Sequence, residues 1–207
     1  MTVRNAETMP AGLSEWQARG YHGAGGYGYV NAIAGRPAII CGNAAGVFEQ
    51  ARRASAELPD AVVFGVNDAG MYLPVLDHWV SLHQDKAFIW SLMRSITINT
   101  NRPYTFHSVD ARQGVTAVWD KLTPCFALSG YFAMQLAWIM GASPIILCGC
   151  PGEPAPRFFE AEPRQDFTYA DKGIQQQLIK EMSRVPGFKD AVRSMSGGFT
   201  ESYFGRP

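Results

Sequence analysis

The chain has 207 residues, of which 47% are hydrophobic and only 17% charged, with 18 basic side chains balancing 18 acidic ones. That length fits one domain with a sizeable core. The neutral balance argues against a nucleic-acid scaffold, which carries a net basic field, and leaves room only for a local basic pocket.

Residues 1–17 read as a peripheral arm with a helical piece around 13–18, and they lack the hydrophobic core of a secretion signal. Residues 20–35, GYHGAGGYGYVNAIAG, predict a flexible or tightly turning loop. A hairpin using Tyr27, Tyr29 and Asn31 is the competing form, and either could lean over a site. We take 1–36 as arm and loop and 37–207 as a single domain. The first core strand is 37–41, PAIIC, running into GNAAG and then a helix from Val47. A strand, a small-residue turn and a helix start can present backbone N–H groups to an anion, or can simply pack tightly.

Residues 60–67, DAVVFGVN, predict a second strand whose C-terminal end carries Asn67 and Asp68; Asn-Asp-Ala-Gly is also an ordinary turn sequence. A third strand at 77–83 holds His78 and His83, which would point to opposite faces and so not share a metal. His83, at the strand's end, is the more interesting of the two. Residues 84–94 predict a helix with Phe88, Trp90, Leu92 and Met93 in the core. Extended segments are expected at 96–99, at 104–108 with His107 near an edge, and at 116–119.

Residues 129–153, SGYFAMQLAWIMGASPIILCGCPGE, are the strongest signal in the chain. Ser129 suits an N-cap, Gln135 is the one strongly polar side chain before Gly141, and Pro144 opens a strand. A helix and a strand this apolar require burial on nearly every side, as in a parallel sheet covered by helices. The apolar stretch is broken by Gln135 and by turn residues, so no membrane span is predicted. Residues 151–172 are proline-rich and too long for a routine turn, fitting a lid or an ordered surface excursion. A helix at 173–183 with Ile174, Leu178 and Met182 on one stripe, a last strand at 191–195 and terminal turns complete the chain.

Cys41, Cys125, Cys148 and Cys150 sit in or beside core elements, which fits a reducing, cytoplasmic setting. Cys148 and Cys150 would share a face, and no metal site is predicted. The low charge points to surface buried in a homo-oligomer or larger assembly. The fold expected is α/β, a Rossmann-like three-layer sandwich with a mainly parallel central sheet. In it Gly42, Asn43, Ala44, Asn67, Asp68, Ser129, Gly130 and Gly149 share the C-terminal edge, where helix starts can hold phosphate and His83 or His107 can move a proton. The P-loop, GxGxxG after Cys41, GxSxG, HExxH and CxxC patterns are all absent.

AIICGNAAG, the strand ending VNDAG, and SGYFAMQLAWIMGASPIILCGC together resemble a family of Rossmann-like proteins grouped with the archaeal hydroxymethylpterin pyrophosphokinase-like domain. They are similar, more distantly, to bacterial sialyltransferases that use a CMP-sugar donor. Members often occur in surface-polysaccharide or phage gene sets, which would place a phage-encoded copy in the host cytoplasm. The resemblance covers residues 37–150 and the stretch near 194–198. It implies that Gly42-Asn43, Asn67, Ser129-Gly130 and Gly149 lie around a nucleotide or nucleotide-sugar. Ala44-Ala45-Gly46 replace the Pro-Ser that usually follows the first turn. Three functions result: a nucleotide-dependent transferase, glycosyl transfer first; a non-catalytic Rossmann-like binding or structural module acting through a subunit interface; and another small-molecule transferase such as a methyltransferase.

Overall fold

A computed structural model describes residues 26–98, 102–119, 128–162 and 172–207. Among these, seven strands are laid down: β1 Ala38–Cys41, β2 Val62–Val66, β3 His78–Val80, β4 Thr105–Ser108, β5 Ala117–Val118, β6 Ile145–Cys148 and β7 Val192–Ser194. Their order is β5-β4-β3-β2-β1-β6-β7, and every neighbouring pair is parallel. The chain thus builds outward from β1, then returns to place β6 on its other side. Strand order reverses between β1 and β6, and that is where open α/β sheets take ligands.

The apolar runs are continuous because both faces are covered. Ile39, Cys41, Val63, Trp79, Ile146 and Cys148 pack under α1 (Val47–Glu57) and α2 (Ala87–Thr97). Their strand neighbours Ile40, Phe64, Val80 and Leu147 pack on the opposite face against α3 (Ser129–Ile139) and α4 (Lys172–Met182). The short helices α5 (Phe188–Ala191) and α6 (Gly198–Phe204) flank β7. The result is the expected Rossmann-like three-layer α/β sandwich. No described helix is long and apolar enough to cross a membrane.

Helix α3 is buried all round, with only Gly130 partly accessible. Its C-terminal carbonyls, which a helix cannot satisfy itself, accept from the N–H groups of Asn31, Ile33 and Gly35, through Ile139, Met140 and Gly141. Residues 26–35 are therefore not a hairpin over the ligand edge. They form a 3-10 turn at Gly26–Tyr29 and then a brace for the far end of α3. Ser129 is the first helical residue rather than the cap, and its hydroxyl accepts from the Leu82 N–H at 3.0 Å.

Other expectations are corrected. Residues 96 and 97 continue α2 instead of starting a strand, with Ile98 as its C-cap; residue 99 lies outside the described residues. The buried stripe running through α4 and just beyond it is Ile179, Met182 and Val185, with Leu178 half-buried beside it, and Ile174 is exposed. The expected terminal turns contain α6, which a Gly-Gly start and a polar Thr-Glu-Ser centre conceal. On α2, only Trp90 of the four residues expected inside is buried; Phe88, Leu92 and Met93 are exposed. The apolar stripe of this helix, Phe88, Ile89, Leu92, Met93 and Ile96, faces away from the sheet, and the side packed on the sheet is Ala87, Trp90 and Arg94, so the periodic apolar face points outward.

Candidate functional site

The β1–β6 reversal is built by glycine. Gly42 follows β1 and Gly149 follows β6 with φ +63°, and a Cβ on Gly42 would collide with the Gly149 carbonyl. The Gly42 N–H donates to Cys148 O at 2.7 Å, the Ala44 N–H to Gly149 O at 3.1 Å, and the Gly149 N–H to Gln50 Oε1 at 2.7 Å. Residues 156–158 then lie over the turn. Ala44 bridges Arg157 in antiparallel fashion, Ala45 N–H donates to Pro156 O at 2.9 Å, and Phe158 N–H donates to Asn43 O at 2.8 Å. Phe158 is held there by edge contacts with Phe48 and Tyr72. The N–H groups of Gly42, Ala44 and Ala45 are thus directed to the chain's own carbonyls. Of the predicted lid, residues 156–158 cover this turn, and 163–171 lie outside the described residues.

Beside it runs a belt of hydrogen bonds along the C-terminal edge. Asn43 Nδ2 donates to Asp68 Oδ2 at 3.1 Å, and its Oδ1 accepts from Ala69 N–H at 3.0 Å. Asn67 adopts φ +48°, a left-handed conformation that asparagine tolerates better than most residues. Its side-chain oxygen accepts from Ser81 Oγ at 2.7 Å, and its carbonyl accepts from Trp79 Nε1 at 2.8 Å. Ser81 Oγ in turn accepts from His83 N–H at 2.9 Å, and Ser108 Oγ donates to Ser81 O at 2.7 Å. Asn67, His83 and Ser129 are drawn together in this way through residues 81–82, and Asn43 and Asp68 adjoin them through Ala69. Ser81 and Ser108 are the members that sequence reasoning missed. A serine ending a short buried strand is the signal for each.

His83 is exposed just past β3. His107 is fully buried, its ring turned into the sheet face that carries Tyr29 and Trp119, not toward the edge. There it meets His78, with Nδ1 of His78 2.9 Å from Nε2 of His107. Trp119 Nε1, which can only donate, bonds His107 Nδ1 at 3.0 Å. Neutral His107 therefore carries its proton on Nε2 and donates it to His78. Burial pushes His78 down to about 4, and burial, then the neighbouring His78, pushes His107 well below its ordinary range. Both rings are neutral at pH 7.

Cys148 and Cys150 do not share a face. The left-handed Gly149 between them breaks the alternation, so Cys148 packs with Cys41 under α1 while Cys150 faces the α3 side. Burial raises all three thiols, Cys150 to about 12. They stay protonated at neutral pH and are unsuited to act as thiolate nucleophiles. Among the described residues, no group of three or more His, Cys, Asp or Glu side chains is placed to hold a metal ion. The fold is of a kind compatible with nucleotide or small-molecule binding, and no catalytic constellation is assembled from the described residues. Comparison with protein-family models, with curated proteins and with solved structures returned no match.

Proposed function

We propose that this chain is a non-catalytic Rossmann-like module that works through a subunit contact on the outer face of α2. The observation that carries this is the composition of that face. Phe88, Ile89, Leu92, Met93 and Ile96 are all exposed, Ile96 at 71%, and no charged side chain lies among them. The one charge in the helix, Arg94, is drawn inward, where Nη1 donates to Gly70 O and Leu73 O at 2.8 and 2.7 Å. An apolar stripe that faces away from the sheet, on a helix whose polar residues lie elsewhere, marks an interaction surface. The ligand edge supports the same view, because its polar groups are bonded to one another and its first turn is covered by residues 156–158.

A second function, nucleotide-dependent glycosyl transfer, is favoured by one observation: the exposed His83 stands beside Asn67, Ser81 and Ser129. In that mechanism the start of α3 at Ser129-Gly130 would face a donor phosphate. His83 would take the acceptor's hydroxyl proton or protonate the leaving phosphate. Calorimetric titration with CMP, UDP, their sugars and S-adenosylmethionine, together with assays of nucleotide release, separates the two. The module proposal predicts no saturable binding and identical behaviour of His83→Ala and the parent protein. Saturable binding of a nucleotide-sugar, with release of its nucleotide abolished by His83→Ala, would replace it with the transferase.

A further inference from the structure

We infer that the partner covering α2 is a second copy of this chain, with the two α2 helices packed antiparallel about a two-fold axis near Leu92. The inference rests on the module proposal above and adds the identity and geometry of the partner.

Area is the first argument. The five exposed α2 side chains present on the order of 500 Å² of largely apolar surface, at the upper end of what a monomer usually leaves in one patch. Two copies of this stripe bring roughly 1,000 Å² together, the size at which specific interfaces begin.

Charge is the second. A two-fold contact sets a patch against itself, so a charge near the axis would meet its own like and one elsewhere would need its opposite within the same patch. This stripe has none to meet, because Arg94 is buried and the remaining polar residues of the helix are serine and threonine. An uncharged face is thus self-complementary, whereas a nucleic acid, an anionic membrane or an acidic peptide would need cations that it lacks.

Shape is the third. Residues 88 and 96 lie two turns apart, about 12 Å along the axis. Antiparallel packing about Leu92 therefore sets Phe88 of one copy over Ile96 of the other, the larger ring against the smaller branched chain. Helix ridges interdigitate in this way, and antiparallel helix dipoles add favourably.

The test is sedimentation equilibrium of the full chain with two variants. The parent should sediment as a dimer. Ile96→Lys, at a position exposed enough to leave the protomer's fold intact, should weaken the dimer roughly 100-fold by placing a charge in an apolar contact. Leu92→Cys should form a dimer linked through residue 92 under mild oxidation, identified by peptide mass. A parent that stays monomeric at every concentration, a dimer unaffected by Ile96→Lys, or the absence of a 92–92 link would each overturn the inference. A monomer that turns over no nucleotide-sugar would sink only the second copy, whereas turnover dependent on His83 would sink the module proposal itself.

Discussion

Lowering the pH from 6.5 to 4 is expected to remove about 3 kcal/mol of folding stability through His78 alone. The native ring, pushed down to about 4 by burial, stays neutral across this interval, while the unfolded ring gains its proton near 6.5. The unfolded state thus binds more protons throughout the window. The contribution is complete above pH 6.5 and is lost as the pH falls toward 4. His107, which burial and then the neighbouring His78 also hold well below its ordinary range, adds a loss of the same sign. Carboxylates also titrate in this range, so the variant His78→Gln isolates the effect. Glutamine keeps an acceptor for the Nε2–H of His107 and does not titrate. Urea unfolding at a series of pH values should give a shallower pH dependence for His78→Gln than for the parent between 6.5 and 4. Superimposable slopes would mean that the pair is open to water.

Gly42→Ala is expected to cost about 3 kcal/mol, the upper range for overpacking a rigid site. The new methyl would meet Cys150 Sγ at 2.6 Å and the Gly149 carbonyl closer still. The thiol can swing away, but the carbonyl is backbone and is itself bonded by Ala44 N–H. Relief therefore requires β1 and β6 to part where the covering turn is anchored. Gly130→Ala is the control, because its Cβ meets only Cys150 Sγ at an ordinary 3.9 Å, and its effect should lie within about 0.5 kcal/mol. Chemical denaturation compares the two directly. Equal stabilities would show that the strand exits are not sealed against each other.

The elements legible in the sequence are those whose burial is complete. PAIIC, VVFGV and PIILC are continuous apolar runs because both sheet faces are covered, and the twelve residues after Ser129, Gln135 apart, are apolar on all sides for the same reason. Their common edge followed from βαβ geometry, and Asn67, His83 and Ser129 do lie near one another there. What the sequence concealed depends on register and on the surface. His78 meets His107 only because β3 and β4 align Val80 with His107, a pairing across 29 positions that no local spacing reveals. Two-residue β5 carries no pattern of its own. The covering of the first turn by residues 156–158 depends on backbone bonds, which composition does not encode. The low charged fraction did register the α2 face, but periodicity assigned its residues to the wrong side of the helix.

The measurement closest to the central claim is the chemical accessibility of α2 in solution. Ile96→Cys, together with Arg53→Cys on the exposed surface of α1, would be treated with a charged maleimide and mapped by peptide mass at high and low protein concentration. A working interface on α2 predicts labelling at 96 at least about tenfold slower than at 53 in concentrated protein, with the difference disappearing on dilution by mass action. Equal, fast labelling of both positions at every concentration would contradict it.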